Sequence, residues 1–413
     1  MTTGHRMTEV GLIPEDWDTP LLGDVIKSTQ VGGNYRNSER ESKWPLIKMG
    51  NLGRGRINLD KLEFVDSSEG PATRDRLERN DVLFNTRNTL DLVGKVAIWR
   101  DELPEAYFNS NIMRLAFDET RIASKCFMSY LLNTRQAVQS LREIAIGTTS
   151  VAAIYGRDLA RVMVALPTKA GQLAIAEVLS DVDDLIGSLE KLIAKKRLIK
   201  QGAMQELLTG RRRLPGFDGK WEVRHLKDVA DTNAEGLARD TRPDWSFNYI
   251  ALEDVDVGCL NGYTEHVLRS APSRARRRLR QGDVLVATVR PNLMSHYLFR
   301  FGTGNWVGST GFCVVRCREL VSEPTYVYFH MFGDTVSRQI RASLAGSNYP
   351  AISASDVAAL EIPFPDYVEQ VAIGEVLVDI DNEIASLEAL LAKYQVVKQG
   401  MMQQLLTGRI RLA

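Results

Sequence analysis

The chain contains 413 residues with 52 basic and 52 acidic side chains, so its formal net charge at pH 7 is zero and indicates no particular class of partner. A hydrophobic content of 44% and a charged content of 25% are typical of globular proteins, and the length favours two or three domains. No apolar run approaches the roughly 20 residues of a membrane-spanning helix, and the first residues contain no signal-peptide core. The four cysteines match no zinc-ligand spacing. We therefore expect no membrane partner, reduced thiols and a cytoplasmic location.

An internal repeat divides the chain into four predicted parts. With an offset of 198 residues, 172–214 matches 370–412 at 27 of 43 positions. The four parts are a globular segment at 1–166, a helical segment at 167–213, a globular segment at 214–365 and a helical segment at 366–413. Short β-branched runs between turns indicate that each globular segment mixes strands and helices. The predicted fold is therefore mixed α and β (α+β), with an internal pseudo-two-fold repeat.

The first globular segment begins with "DWDTPLLGDV" at 16–25 and continues to "LERNDVLFNTRN" at 77–88. The run "FMSYLLNTRQAVQSLREIA" at 127–145 is predicted to be helical. Basic side chains are spread thinly here, and Arg54 and Arg56 in "NLGRGR" are the candidates for contact with an anionic polymer.

Both helical segments carry apolar residues at alternating spacings of three and four, which is the seam of a coiled coil. The seam residues are Leu179, Val182, Ile186, Leu189 and Ile193 in the first segment, and Leu377, Ile380, Ile384, Leu387, Leu391 and Tyr394 in the second. A glycine after each "LLT" predicts a C-terminal cap. We expect the two long helices to pair antiparallel as a coiled coil. Apolar residues off the seam favour a further protein partner.

The second globular segment is rich in arginine near its middle. Positions 266–300 contain eight arginines and a single acid, Asp283. The candidate side chains are Arg274, Arg276, Arg277 and Arg278 in "SRARRRLR" and Arg290 in "TVRPNL". Such a charge cluster is about as often a solvated surface as a binding site. The guanidinium group of arginine, however, can donate two parallel hydrogen bonds to a phosphate or to O6 and N7 of guanine. With the two arginines of "NLGRGR", the pattern suggests one basic site in each copy of the repeat.

Motifs for catalysis and cofactor binding are absent from the sequence. It contains no G-x-x-x-x-G-K-[ST] loop, no G-x-G-x-x-G fingerprint, no H-E-x-x-H pair and no Asn/Asp-Pro-Pro-Tyr tetrapeptide. The five histidines show no metal-ligand spacing. We therefore expect no catalytic residue, no metal ligand and no cofactor bound by this chain. A triad built from distant serine and aspartate residues stays open at this point.

Taken in order, these motifs resemble the specificity subunit of a type I restriction–modification system, over essentially the whole chain. The resemblance rests on the twin endings "QELLTGRRRL" and "QQLLTGRIRL" and on a Trp-x-x-x-x-Leu-x-Asp-Val opening in each globular segment. It rests also on "NDVLF" and "GDVLV", and on "GTTSVAAI" and "GSNYPAI" ahead of "RDL" and "SDV". Each motif alone is weak, whereas the ordered set is specific.

The resemblance implies a division of labour within a larger complex. The segments 1–166 and 214–365 would be target recognition domains, each reading one half of a bipartite double-stranded DNA site. The segments 167–213 and 366–413 would be conserved spacer helices that set the half-site spacing and dock two methyltransferase subunits. Restriction subunits would complete the complex. S-adenosylmethionine, ATP and magnesium would bind to those partners, and this chain would be non-catalytic.

The resemblance also implies which residues lie nearest the bases. They are Arg87 and Asn88, and Arg290 and Asn292, in the loops after the "DVL" strands, followed by Thr148, Thr149 and Ser150, and by Ser347, Asn348 and Tyr349. Pro291 has no counterpart in the first copy, so we expect the two loops to differ in shape.

Two other classes of function stay open on the sequence alone. A fused single-chain DNA methyltransferase or nuclease would need the catalytic motifs that are absent. A coiled-coil scaffold that does not bind DNA would leave the arginine run as solvated surface and would show no salt-dependent affinity for DNA. A specificity subunit whose partner genes are missing would have the same sequence features.

Overall fold

The computed structural model describes residues 4–66, 70–344 and 350–412. Its contacts divide the chain into two units, a first unit of Met1–Leu189 with Leu390–Ala413 and a second unit of Glu190–Ala389. Each unit therefore contains one globular segment and parts of both long helices. The division of the sequence into four parts stays a prediction about their separate roles.

Short strands dominate the first unit. Its strands are β1 (His5–Thr8), β2 (Gly11–Pro14), β3 (Ile26–Val31), β4 (Asn37–Ser38), β5 (Pro45–Ile47), β6 (Glu63–Val65), β7 (Val82–Asn85), β8 (Arg87–Asn88), β9 (Val96–Ile98), β10 (Tyr107–Phe108), β11 (Ile112–Phe117), β12 (Ile146–Gly147) and β13 (Ala152–Ala153). Its helices are α1 (Lys125–Leu131), α2 (Arg135–Glu143), α3 (Gly156–Leu159) and the first part of α4 (Lys169–Leu207).

The second unit has the same mixture of elements. Its strands are β14 (Glu222–His225), β15 (Ala230–Thr232), β16 (Ser246–Ile250), β17 (Thr264–Val267), β18 (Ala275–Arg278), β19 (Val284–Ala287), β20 (Tyr297–Leu298), β21 (Trp306–Ser309), β22 (Phe312–Cys317) and β23 (Glu361–Phe364). Its helices are α5 (Leu226–Val229), α6 (Pro324–His330), α7 (Asp334–Ser343), α8 (Ala354–Ala358) and most of α9 (Tyr367–Leu405), whose last part belongs to the first unit.

The repeat is visible in the sheets. One antiparallel sheet has the order β3-β11-β7-β9 in the first unit and β15-β22-β19-β20 in the second. The "DVL" motifs form the central strands β7 and β19, whose side chains are all buried, as their continuous apolar runs predict. A second sheet in each unit contains a parallel pair, β5 with β10 and β16 with β21. The mixed α and β fold with an internal repeat is confirmed.

The long helices repeat residue for residue. Both contain 39 residues, and the bounds of α9 are those of α4 shifted by 198. Each ends in the predicted glycine cap, because Gly210 and Gly408 both have φ +69°. At the other end, the buried amide of Gln172 donates to the carbonyls of Arg121 and Pro167 and accepts from the Ala123 N–H. Gln370 makes the same three bonds in the second unit, so each helix start is fixed to its globular part in the same way.

Within each unit, the parts of α4 and α9 run antiparallel. In the first unit Asp183 of α4 pairs with Lys398 of α9 at 2.5 Å. In the second unit Lys196 pairs with Glu383 at 2.6 Å, and Lys200 pairs with Asp381 at 2.5 Å. A higher number on one helix meets a lower number on the other, which confirms the antiparallel coiled coil.

Each core joins the sheet to both long helices. The first core contains Trp17 and Phe84 together with Leu179 of α4 and Leu405 of α9. The second core contains Val286 and Tyr326 together with Leu207 of α4 and Leu377 of α9. At roughly 25 cal/mol per Å² of buried apolar surface, this packing is the main force that holds each pair of helix parts to its sheet.

One predicted element is divided in two. The run 127–145 forms α1 and α2 instead of a single helix. Thr134 starts α2, because its hydroxyl accepts from the Ala137 N–H at 3.3 Å, and the Asn133 side chain donates to the carbonyls of Val96 and Ser129. These polar side chains satisfy backbone groups that a continuous helix would use itself.

Candidate nucleic-acid interface

In the first unit, a hydrogen-bonded platform formed by Thr86, Asn111 and Ile154 follows the central strand β7. The backbone N–H and the hydroxyl of Thr86 both donate to the carbonyl of Asn111, at 3.0 and 2.9 Å, and the Thr86 carbonyl accepts from Ile154 at 2.9 Å. The next two residues form β8, which pairs with β13 so that Arg87 lies opposite Ala153 and Asn88 opposite Ala152. The chain therefore leaves the core along a fixed path.

This platform brings together residues that are about 60 positions apart in the sequence. The β12–β13 hairpin has Thr148, Thr149 and Ser150 at its tip, and the Thr149 carbonyl accepts from Leu90 at 3.1 Å. Arg87 and the three tip residues are exposed, and Asn88 is half-buried. Five predicted positions of the first copy thus share one surface.

The second unit repeats the platform. The backbone N–H and the hydroxyl of Thr288 donate to the Gly311 carbonyl, at 2.9 and 2.8 Å, and the Thr288 carbonyl accepts from Ile352 at 2.9 Å. Val289 bridges to Ala351, and the Arg290 N–H donates to the Pro350 carbonyl at 2.7 Å. The predicted residues Ser347, Asn348 and Tyr349 lie outside the described residues.

The two platforms carry loops of different shape, as Pro291 predicts. Where the first unit has the extended strand β8, the second has a 3₁₀ turn at Pro291–Leu293. Arg290 and Met294 on either side of this turn have left-handed backbone angles, with φ of 50° and 53°. Such angles cost a non-glycine residue about 1–3 kcal/mol and are concentrated at functional sites. The turn leaves Arg290 and Asn292 exposed.

Arg54 belongs to a basic cluster that the sequence does not reveal. Gly55 donates to the Val96 carbonyl at 2.7 Å, which places the Arg54 loop beside Lys95. Burial, and then the nearby Arg142, lower the pKa of Arg54, while burial and then Arg54 lower the pKa of Lys95. Within the described part of the chain, the buried Nη1 of Arg54 has no hydrogen-bond partner. Arg142 already pairs with Asp91 at 3.0 Å, which leaves Arg54 and Lys95 as the members of the cluster suited to an anion. The separation of these residues in the sequence explains why only Arg54 was predicted.

The arginine run of the second unit is partly neutralised. Arg276, Arg277 and Arg278 lie on β18, where Arg276 and Arg278 are exposed and Arg277 is half-buried. Glu235 pairs with Arg278 at 3.4 Å, with Arg280 at 2.8 Å and with Arg316 at 3.1 Å.

Glu235 remains charged at neutral pH in spite of its surroundings. Burial acts to raise its pKa, but the hydrogen bonds from Arg280 and Arg316 outweigh burial and lower it. Glu235 lies about 40 residues upstream of the run, so the sequence does not show this compensation. Arg274 and Arg276 are the exposed members of the run that have no ion pair within the described residues.

The predicted seam residues turn away from solvent. Leu179, Ile186, Leu189, Ile193, Leu377 and Ile384 are buried, and Val182, Ile380, Leu387, Leu391 and Tyr394 are half-buried. Other apolar residues of the same helices are exposed, notably Leu185, Leu390 and Val396 in the first unit and Leu192 and Leu198 in the second. Each unit thus leaves apolar side chains of the long helices exposed to solvent.

Residues 4–66, 70–344 and 350–412 contain neither a metal-binding cluster nor a membrane-spanning helix. Within these ranges no group of three or more His, Cys, Asp or Glu side chains could hold a metal ion. The helices in the same ranges include none with enough length and apolar character to cross a membrane.

Comparisons with known proteins agree with the repeated architecture. A family model described as the type I restriction modification DNA specificity domain matches twice, at residues 14–196 and 218–395. The chain is 24% identical to the putative type I restriction enzyme MjaX specificity subunit of Methanocaldococcus jannaschii, covering 98% of this chain and 96% of that protein. It is 22% identical to the MjaVIII specificity subunit of the same organism, covering 97% and 94%.

A solved structure has the same fold. The S subunit of the type I restriction–modification system from M. genitalium superposes with a TM-score of 0.61 at 16% identity, covering 98% of this chain and 99% of that one. The two family-model matches span most of the sequence, one in each copy of the repeat. This chain therefore belongs to the family of type I restriction–modification specificity subunits and carries two copies of their DNA specificity domain.

Proposed function

We propose that this chain reads the DNA target of a type I restriction–modification complex, with each unit contacting one half of a bipartite duplex site. The observation that supports this most directly is the duplicated platform, in which Thr86 and Thr288 fix the path of the following loop by the same three hydrogen bonds. Rigid elements that present exposed polar side chains suit base recognition, because the contacting groups need little ordering on binding.

The exposed loops that follow the platforms carry side chains that can form hydrogen bonds with DNA bases. Arginine can donate both branches of its guanidinium to guanine O6 and N7, and asparagine can bond adenine N6 and N7. Arg87 and Asn88 would supply these contacts in the first unit, and Arg290 and Asn292 in the second. The hairpin tip at 148–150 offers hydroxyl groups beside them.

Phosphate contacts would come from basic side chains outside the platforms. Arg54, Arg56, Arg274 and Arg276 are suited to this role, because phosphate contacts hold position and need no particular base. Arg277 and Arg278 were predicted for the same role. Arg278 already shares Glu235 with two other arginines and is therefore the weaker candidate.

Catalysis would belong to partner subunits. We infer that two methyltransferase subunits dock on the exposed apolar helix faces, that the paired helices set the distance between half-sites, and that restriction subunits complete the complex. S-adenosylmethionine, ATP and magnesium would bind to those partners, and this chain would supply no catalytic residue. Such a complex would act on DNA inside the cell, and we therefore infer a cytoplasmic location for this chain.

The direct test is single-molecule methylome sequencing of DNA from cells that express this chain together with its neighbouring methyltransferase gene. We expect methyladenine in both halves of a split sequence motif, and no such motif in cells that express the methyltransferase gene alone. A motif that persists without this chain would contradict the proposal.

DNA binding by the purified chain provides a second test. We expect its affinity for duplex DNA to fall linearly with the logarithm of salt concentration, because bound phosphates displace counter-ions. A coiled-coil scaffold that does not bind DNA would show no such dependence.

A further inference from the structure

The second unit contains a basic cleft whose lining includes no residue of the platform or of the arginine run. Its volume is about 620 Å³, and it lies between the C-terminal part of α4 and the beginning of α7. Five basic side chains line it, and Asp334 is the acidic residue of the lining. The basic residues are Arg197, Lys200, Arg211, Arg338 and Arg341.

The basic side chains of the cleft are not all neutralised. Arg197 pairs with Glu388 at 2.6 Å, and Lys200 pairs with Asp381 at 2.5 Å. Arg338 donates to the backbone carbonyl of Asp334 at 3.4 Å. Arg211 and Arg341 are exposed and form no ion pair with any residue that the structure describes. The cleft therefore keeps an excess of positive charge at its rim, even with Asp334 included.

The beginning of α7 lines the same cleft and is open. Gly333 is its N-cap residue, and no side chain of the described chain accepts from its first turn. The N-terminal N–H groups of a helix carry a partial positive charge and bind anions well. In the first unit the corresponding helix α2 is closed, because the Thr134 hydroxyl caps the Ala137 N–H.

The two copies align residue by residue at this point. Val336 and Ile340 of α7 are buried in the same positions as Ala137 and Leu141 of α2. Gly333 therefore corresponds to Thr134, His330 to Leu131, and Arg341 to Arg142. The second unit thus has glycine where the first has a capping threonine, and histidine where the first has a core leucine.

His330 is the second sign of a ligand. It lines the cleft, only 2% of its surface is exposed, and its Nε2 has no hydrogen-bond partner among the described residues. Burial lowers its pKa to about 3, so the ring is neutral at physiological pH and has one N–H to donate. A buried polar atom without a partner is costly, and the leucine of the first copy shows that the fold does not need a polar group there.

We propose that this cleft binds a phosphate group, held by the open N-terminus of α7, the His330 ring and the side chains of Arg211 and Arg341. A tetrahedral oxyanion can accept from several donors at once, and arginine matches its geometry with two parallel bonds. The site exists in the second copy alone and does not depend on target recognition by the platforms. Its phosphate could be inorganic phosphate or a phosphate of the DNA backbone, which share this chemistry.

Isothermal titration of the full chain with sodium phosphate at constant ionic strength tests the site, with sodium chloride as the reference anion. We expect one phosphate per chain. His330→Leu, Gly333→Thr and Arg341→Gln should each weaken phosphate binding at least tenfold. The first two changes install the residue that the other copy has at the aligned position, so they are compatible with the fold. Arg224→Gln removes an exposed arginine of the same unit that pairs with Glu222 and does not line the cleft, so it should leave phosphate binding unchanged.

Duplex DNA distinguishes the two sources of phosphate. If the occupant is a backbone phosphate, His330→Leu and Arg341→Gln should also weaken binding to non-specific DNA and reduce the salt slope by about 1. If the occupant is a small phosphate, these variants should bind DNA as the unchanged chain does. The proposal is overturned if phosphate gives no more heat than chloride or if the variants bind it equally well. It is also overturned if they weaken only the association with a partner protein.

Discussion

A buried histidine makes the second unit sensitive to acid. His296 is fully buried, its Nδ1 accepts from the Ala287 N–H at 3.1 Å, and its ring lies edge-on to Phe332 with 5.5 Å between ring centroids. Burial lowers its pKa to about 4, against an ordinary value of 6.5. Protonation would therefore charge a fully buried ring and would break the bond to the central strand β19.

We predict that the unfolding free energy of the second unit falls as the pH drops from 6.5 towards 4. In that range the unfolded chain binds protons at His296 and at His330 that the folded chain does not, and each of these protons lowers stability by up to about 1.4 kcal/mol per pH unit. Urea titrations at pH 7.5, 6.5 and 5.5 measure this slope. His296→Gln keeps an acceptor for Ala287 and should reduce the slope, and an unchanged slope in this variant would contradict the assignment.

At the scale of single elements, the long helices separate residues that stabilise the fold from residues available to partners. Leu179 and Leu377 occupy the same place in the two copies, and both are fully buried. Leu198 and Val396 also correspond, and each is 68% exposed. In both copies, the apolar residues of the long helix thus form a buried group and an exposed group at corresponding positions.

We predict that Leu179→Ala and Leu377→Ala each lower the unfolding free energy of their unit by about 2–5 kcal/mol, because a cavity replaces a packed side chain. Leu198→Ala is the matched control and should change stability by less than about 0.5 kcal/mol. Chemical denaturation monitored by circular dichroism provides the comparison. Equal effects of the buried and exposed changes would show that the helices do not pack through this seam.

The exposed residues Leu198 and Val396 lead to a separate prediction, which concerns assembly with the methyltransferase. Leu198→Ser and Val396→Ser should each remove apolar contact area from one proposed docking face without disturbing the seam. In native mass spectrometry of the complex with its methyltransferase, each single change should shift the population from two bound subunits to one. The double change should leave the chain without methyltransferase. Retention of both subunits in the double variant would place the docking faces elsewhere.

A substitution at the N-cap of α2 is expected to lower the unfolding free energy by less than the leucine substitutions do. Thr134→Ala removes the hydroxyl that accepts from the Ala137 N–H, and we expect it to lower the unfolding free energy of the first unit by about 1 kcal/mol. Thr134→Ser, which keeps the acceptor, should cost much less. Equilibrium unfolding of the two variants side by side tests whether the hydroxyl or the threonine methyl group matters.

A structural feature of this molecule can be predicted from the sequence when the residues that form it lie close together along the chain. The seam, the glycine caps and the central strands follow from spacings within a few residues, and the structure contains all of them. The division of 127–145 into α1 and α2 was missed, because Asn133 bonds to the carbonyl of Val96, about 40 residues away. Apolar periodicity contains no information about such a contact.

The candidate interface, too, could be predicted from the sequence only in part. The family resemblance implied that Arg87 and the 148–150 tip both lie near the bases, and hydrogen bonds through Thr86 and Leu90 bring these residues to one surface. The cluster of Arg54, Lys95 and Arg142 was not predictable, because its members come from two loops and from helix α2, which are far apart in the sequence. The neutralisation of the arginine run by Glu235 is a tertiary effect of the same kind.

At the scale of the whole molecule, duplication implies that the two copies can be changed independently. Arg87 and Arg290 follow the same platform threonine in the two units, but one lies on a strand and the other begins a left-handed turn. Two loops of different shape on equivalent platforms should read different bases. A change in one loop should therefore leave the other half of the target unaffected, since the loops belong to separate units with separate cores.

We predict that Arg290→Ala relaxes the half-site read by the second unit and that Arg87→Ala relaxes the half-site read by the first. A bidentate contact with guanine contributes about 1–3 kcal/mol of discrimination, so the preference at one base pair should fall roughly 5- to 150-fold. Methylome sequencing of cells expressing each variant measures this preference at every position of the motif. Arg224→Ala removes an exposed arginine that pairs with Glu222 and serves as the charge-matched control, with no expected change. Because a lost phosphate contact weakens binding to all sequences alike, reduced methylation by Arg290→Ala with an unchanged preference at every base pair would assign this arginine to the DNA backbone instead of a base.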